Sequence, residues 1–352
     1  LKLIENVDTK GIPIIVGGTI PSANPKKILS NSKINYVIKG ESELVYRDIL
    51  QKIQNKEDLK SIKNLNYIDT KNNYIENPMR PLIDPLDQLP DVNFDIFDSR
   101  TFNRPYHGSV KKMVDYELSR GCWYRCTFCI SPFQRESTYG KPKNFRREKS
   151  IPKIIREISN IKKRHNLEMI RYQDESFNSI NEEKLKDLSK DYKKFVDLPF
   201  IIEATINTTN ENKIKYLSDM GCVNVGLGIE SGSKYIRDKV IIKPKFENDE
   251  AIEKINLFKK HGISVTTYNI MGFPYETEEN IKETIEINYK AKPTHAAVNY
   301  FQPWEGTPLK KTSIENGFLD ENMELSQMTV GAQSKSTLKN LEVDKKILDH
   351  YH

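Results

Sequence analysis

The chain has 352 residues, enough for one large domain or a large and a small one. Its 55 basic and 49 acidic residues leave a charge of +6, spread along Lys- and Asn-rich segments rather than gathered in a block, which gives no specific signal for nucleic acid. Four cysteines in this length exclude a disulfide scaffold, and with no apolar run of membrane-spanning length and no signal-peptide pattern a cytoplasmic protein is expected.

Leu1 opens what reads as the tail of a helix, so an N-terminal part is expected to precede it. Gly11 to Gly18 is a β-branched run closed by two glycines, which predicts a buried parallel strand and a tight turn. A capped helix over 21–29, a strand over 34–38 and an amphipathic helix over 44–53 follow. Strand, glycine turn, helix, strand, helix is half of a doubly wound, Rossmann-like sheet. Ligands in such sheets sit beyond the carboxyl ends of the strands, where Gly17 and Gly18 would let a large group approach the backbone. Residues 55–110 are polar and rich in Pro, Asp and Asn, and read as a linker containing one hairpin, 66–68 with 73–75. His107 within it reads as a surface residue.

Cys122, Cys126 and Cys129 come next, at spacing C-x3-C-x2-C directly after an apolar strand. Thiolates this close can converge on one inorganic centre. Structural zinc wants four closed ligands, commonly as two separated pairs, and no second pair is present; a zinc-stabilised binding module is the rival from another class. Three thiolates with one position left open suit a [4Fe-4S] cluster better. Cys222, where a helix gives way to a strand, reads as a small core residue. From Met113 onward strands (113–119, 168–173, 199–205, 222–229, 264–271, 295–301) alternate with helices (151–165, 181–194, 210–220, 248–261, 277–290). This α/β pattern predicts a parallel sheet curled into a partial (β/α)6 TIM-like barrel over 111–310, with its chemistry at the carboxyl ends of the strands and a helical extension over 311–352.

The cysteine triplet, with Phe128 just before its last member, resembles the signature of the radical S-adenosylmethionine (SAM) superfamily. The resemblance implies that Cys122, Cys126 and Cys129 hold a [4Fe-4S] cluster whose open iron chelates the amino and carboxylate groups of SAM. One electron, from a reductant such as flavodoxin or ferredoxin, would then cleave the sulfonium to a 5'-deoxyadenosyl radical. Residues 1–54, with Val16-Gly17-Gly18, Pro21, Tyr36-Val37-Ile38 and Gly40-Glu41, resemble the C-terminal part of the cobalamin-binding domain that precedes many such barrels. That implies cobalamin as a further cofactor, near Gly17, Gly18 and Glu41. The Asp-x-His-x-x-Gly element that ligates cobalt in some cobalamin proteins is absent.

The same resemblance assigns the strand ends to SAM. Asp174 and Glu175 would face its ammonium, although Asp174 or Ser176 capping a helix is the plain reading. Glu203 ends the third strand, where relatives often carry an arginine near the position of Thr205. Gly228, Glu230 and Ser231 lie in a run similar to "GIESGS", with Lys243 beyond it either neutralising a carboxylate or simply exposed. Gly272 and Pro274 belong to a run close to "GxPxET" that would pack the adenine. Tyr300 to Leu309 resembles "PxxGTPL" and would wall the substrate side or close the barrel. The implied activity is cobalamin-dependent methyl transfer to an unactivated carbon of a small-molecule substrate. A radical cyclisation, oxidation or rearrangement is the alternative. Methylthiolation is disfavoured because those relatives carry a second cysteine triplet.

Overall fold

The computed structural model describes residues 2–323 and 335–352, with side chains from Ile4, and divides into two compact units. The first comprises residues up to Ile83, Thr127–Phe145 and Pro303–Thr312. Its four-stranded sheet runs in the order β1 (Ile14–Val16), β2 (Ile34–Ile38), β3 (Leu65–Ile68), β4 (Tyr74–Glu76). β1 and β2 are parallel, whereas β3 and β4 add an antiparallel hairpin. The core lies between β2 and the helix Glu43–Gln54, where Ile38, Val45, Ile49 and Leu65 are buried together. β1, expected as a buried strand, is half-buried, because among the described residues it is an edge strand of this sheet. The expected helix over 21–29 is two short ones, Thr19–Ala23 and Pro25–Leu29. Pro25 pushes Asn24 out of helical geometry, and the Asn24 side chain then caps the second helix through Lys27 N–H.

The second unit holds a seven-stranded sheet in the order β13-β12-β11-β10-β9-β6-β5. Its members are β5 (Asn103–Tyr106), β6 (Ser109–Tyr116), β9 (Met169–Tyr172), β10 (Phe200–Ala204), β11 (Cys222–Glu230), β12 (Ser264–Met271) and β13 (His295–Tyr300). β6 and β9 to β13 are parallel, and β5 pairs antiparallel with β6. A separate two-stranded ribbon joins β7 (Ser119–Arg120) to β8 (Arg147–Glu148). The six parallel strands and the helices Ile151–His165, Glu182–Phe195, Glu211–Met220, Asn248–Lys260 and Glu278–Ala291 are the partial barrel expected from the sequence. The hairpin expected at 66–68 with 73–75 is present as β3 and β4; what the linker reading of 55–110 missed is that β3 joins β2 and that β5 pairs with β6, since such pairing needs only short polar segments that carry no apolar periodicity.

Parity along the strands divides the sheet into two faces. Phe200, Ile202 and Ala204 of β10, with Val225 and Leu227 of β11 and Val265 of β12, are buried against apolar residues of the helices, including Ile154, Ile158, Ile214, Ile255 and Phe258. The alternate set, Ile201, Glu203, Thr266 and Tyr268 among them, is half-buried and faces the lumen. In the C-terminal stretch the described helices are Pro308–Glu315 and Lys345–Tyr351; the part of the expected helical extension at 324–334 lies outside the described residues.

At the end of β11 the chain makes a close crossing. A Cβ on Gly232 would fall 2.2 Å from the carbonyl oxygen of Glu283, in the middle of the helix Glu278–Ala291. Backbone cannot yield as a flexible side chain does, so Gly232→Ala should cost about 1–3 kcal/mol of stability. A lowered urea midpoint at unchanged slope is the expected reading.

Candidate active site

The carboxyl ends of β6 and β9 are tied together by one buried carboxylate. Asp174, 2% exposed, accepts from the backbone N–H groups of Leu118 (3.3 Å) and Ser119 (2.5 Å) and from the Ser119 hydroxyl. Burial pushes its carboxyl up to about 7, against the pull of those donors and of Arg146. Arg146 in turn donates to Ser119 Oγ (2.9 Å) and to Glu148 (2.8 Å). Glu175 accepts from Gly121 N–H at 3.2 Å. These bonds fix the backbone from which the cysteine loop departs. Ser176, the alternative cap, precedes the short 3-10 turn Phe177–Ser179 without bonding its N–H groups.

Cys122, Cys126 and Cys129 are each half-buried and outside any disulfide. Cys122 and Cys126 belong to the second unit and Cys129 to the first. Among the described residues no three His, Cys, Asp or Glu side chains are already gathered as a metal site. The donor chemistry nonetheless fits a thiolate-held cluster. Burial raises the Cys122 thiol, while the Tyr124 backbone N–H and the charges of Arg146 and Lys243 act to lower it. Cys129 Sγ accepts from Ser131 N–H at 3.5 Å. Tyr124, inside the loop, accepts from Asn207 beyond β10 (2.8 Å). Cys222 is buried at the start of β11 and donates to Asn224 O, as a core thiol would.

At the end of β11, Glu230 adopts a left-handed φ of 63° and forms a buried ion pair with Lys243 at 3.2 Å. The exposed reading of Lys243 is therefore wrong: a lysine is tolerated inside because it meets a carboxylate. Gly228 makes room for the pair, since a Cβ there would lie 2.4 Å from Glu230 Oε1. Ser231 points elsewhere. It is fully buried, its Oγ 3.3 Å from Thr284 Oγ1, and its carbonyl accepts from the buried Arg237. Gly272 sits at φ 78° after β12, where its N–H donates to Glu276 Oε2 at 2.6 Å, and Pro274 is buried in the same turn. Glu203 does not join the other carboxylates. It faces the lumen, where Tyr268 Oη donates to it at 3.1 Å and Arg171 stands 3.8 Å away.

In the first unit, Gly18 at φ 108° turns the chain from β1 into Thr19–Ala23, and a Cβ on it would meet nothing within 4 Å. A Cβ on Gly17 would make ordinary contact with Ile38. Glu41 accepts from Ile83 N–H at 2.9 Å, and its own N–H donates to Tyr139 Oη at 2.6 Å. Sequence reasoning passed over Arg146, Arg171, Tyr268 and the Ser176–Asn178–Thr205 network in which Thr205 N–H donates to Asn178 at 3.1 Å. Only the lumen-facing parity of Tyr268 and Arg171 could have marked any of them.

Residues 116–287 match the family model described as the radical SAM superfamily. An uncharacterized methyltransferase of Pyrococcus horikoshii is 28% identical over 321 residues, 90% of this chain and 66% of that protein. Two solved structures share the fold. The cobalamin-dependent SAM radical enzyme OxsB, with aqua-cobalamin and SAM bound, gives a TM-score of 0.71 at 17% identity over 96% of this chain and 52% of its own. The radical SAM methyltransferase TsrM from Kitasatospora setae, with cobalamin and a [4Fe-4S] cluster bound, gives 0.68 at 17% over 87% and 58%. The chain thus spans between about half and two thirds of the length of these proteins. The family match thus covers residues 116–287, which span the cysteine loop and most of the partial barrel.

The turn after β12 has a pH signature. Burial raises the Glu276 carboxyl from 4.5 to about 8, although Gly272 and Phe273 N–H groups donate to it. Its folded value exceeds its unfolded one, so its contribution to stability is complete below the unfolded value and is lost as pH rises to about 8. Glu276→Gln keeps an acceptor for both N–H groups and removes the titration. Its urea midpoint should fall less than that of the parent between pH 5 and pH 8 on the buffer scale.

Proposed function

We propose that this chain is the catalytic part of a radical SAM enzyme that binds a [4Fe-4S] cluster through Cys122, Cys126 and Cys129. On this reading it binds cobalamin through the unit carrying Gly17, Gly18 and Glu41, and transfers a methyl group to an unactivated carbon of a small molecule. The observation that carries this reading is the C-x3-C-x2-C loop placed at the carboxyl end of the first barrel strand and held there by Asp174. When bound, the cluster and SAM supply a 5'-deoxyadenosyl radical and cobalamin supplies the methyl group.

The chain's own residues supply position. Asp174, Ser119 and Arg146 hold the start of the cysteine loop. Glu175 offers a carboxylate for an ammonium, and the Glu230–Lys243 pair gives the end of β11 a matched acceptor and donor for a zwitterionic head. The turn at Gly272 and Pro274 ends β12 and would back the adenine of SAM from within the fold. Support for methyl transfer and cobalamin comes from the fold shared with the two cobalamin enzymes and from the segment order. A reductant of the flavodoxin or ferredoxin kind and a cytoplasmic location follow from the chemistry.

Anaerobic reconstitution should yield about four irons and four sulfides per chain, with 5'-deoxyadenosine formed from SAM under reduction. Cys126→Ala should lose both the cluster and the cleavage. One tightly held zinc and no cleavage would instead favour the binding module. Cobalamin uptake, read from its visible spectrum, tests for that cofactor, and a methyl group found on the product separates methyl transfer from a radical cyclisation, oxidation or rearrangement with or without it.

A further inference from the structure

The turn after β12 has a shape that a free chain would not keep. Gly272 has φ 78° and Tyr275 φ 64°, two left-handed residues within four, and the second is not a glycine. Inside the turn the buried Glu276 carboxylate accepts from Gly272 N–H at 2.6 Å and from Phe273 N–H at 3.3 Å. Such conformations persist where the surroundings over-determine them. Much of the surroundings here comes from residues beyond the last barrel strand. Leu348, fully buried in the short helix Lys345–Tyr351, lies so close that a Cβ on Gly272 would meet its Cδ2 at 3.1 Å, with Ser336 Oγ next at 3.6 Å. Leu348 and Val343 share a core with Met271, the last residue of β12, with Ile281 of the helix Glu278–Ala291 and with Tyr300, the last of β13. The Phe318 ring stands edge-on to Tyr275 at 4.9 Å, and Phe318 O accepts from Lys339 N–H at 2.9 Å. Tyr300 Oη donates to Asp349 at 2.8 Å, and Tyr351 Oη donates to Glu278 at 2.8 Å. The C-terminal stretch thus grips the strand before the turn, the turn itself, the helix after it and the neighbouring strand end. The main barrel core contains none of these C-terminal residues, so its packing does not run through them.

We propose that the C-terminal stretch is a buttress that holds the β12 turn in the shape that receives the nucleoside half of SAM, with Leu348 and Phe318 as positioning residues. The ligand rests on the radical SAM reading; the grip on the turn does not. A turn released from behind would have to be ordered at each binding event, which weakens affinity for the group that packs on it and leaves contacts elsewhere intact. The amino and carboxylate groups of SAM would meet the cysteine loop and the Glu230–Lys243 pair, which are held by other contacts. Loss of the buttress therefore acts on the nucleoside and spares the methionine head.

The test compares the full chain with Leu348→Ala, with Leu348→Met, which keeps the volume, and with Phe318→Leu, which stays apolar and loses the ring edge. Hydrogen exchange of the ligand-free protein reads the turn directly. In Leu348→Ala and Phe318→Leu the Gly272 and Phe273 amides should exchange about tenfold faster, those of Leu118 and Ser119 at the parent rate, and Leu348→Met should stay near the parent. On the cluster-loaded protein, SAM binding should weaken about tenfold in the same two variants and recover in Leu348→Met. Methionine alone, followed by its effect on the EPR spectrum of the reduced cluster, should bind each variant as it binds the parent. Should Leu348→Ala not fold, Phe318→Leu carries the comparison.

Turn amides that exchange at the parent rate in both variants overturn the proposal. So does SAM binding unchanged over a loosened turn, and so does an equal weakening of SAM and methionine, which is general damage to the fold. A parent chain that binds no SAM removes the radical reading and the nucleoside with it, whereas a parent that binds SAM while the variants are indifferent removes only the buttress.

Discussion

Successive side chains of a parallel strand point to opposite faces, and in this molecule that alternation decides where chemistry can be housed. On β10 the sequence Phe200-Ile201-Ile202-Glu203-Ala204 places Phe200, Ile202 and Ala204 against the helices and leaves Ile201 and Glu203 for the lumen. β12 repeats the division, with Val265 in the core and Thr266 and Tyr268 on the inner face. A one-residue slip of either strand would bring a carboxylate or a phenol into the helix interface. The apolar layer therefore holds the register, and the register sets which polar groups meet. Glu203 reaches Tyr268 across Gly226 because those residues share a face on adjacent strands.

Much of this was legible in the chain. Helix 151–165 and strand 264–271 fall where periodicity put them, since each has a clean apolar repeat and a sharp boundary: Ser150 caps the helix through Lys153, and the glycine turn at 272 ends the strand. The cysteine triplet is legible for a different reason, because three soft ligands in eight residues have few structural uses. Less readable were contacts made by polar residues between distant segments. Lys243 gives no local sign that it will be buried, because its partner Glu230 lies thirteen positions earlier across an irregular turn. The hairpin strand β5 was hidden for a similar reason: Asn103-Arg104-Pro105-Tyr106 owes its conformation to pairing with β6, not to its own composition.

Charges are paired both at the strand ends and in the lumen, at different separations. At the ends, Asp174 is saturated by Leu118 and Ser119, whereas Glu230 meets Lys243 through one oxygen. A carboxylate held as Asp174 is serves to fix backbone, and the left-handed Glu230 is the kind of strained residue that persists only where its surroundings over-determine it. In the lumen, Glu203 and Arg171 form a looser ion pair at 3.8 Å, with Tyr268 donating to Glu203. Closed pairs give rigidity, which radical chemistry needs so that a reactive carbon meets one partner atom and not its neighbours. The tight carboxylate at the strand ends and the looser pair in the lumen lie on the same sheet, a few residues apart, so both separations come from one register.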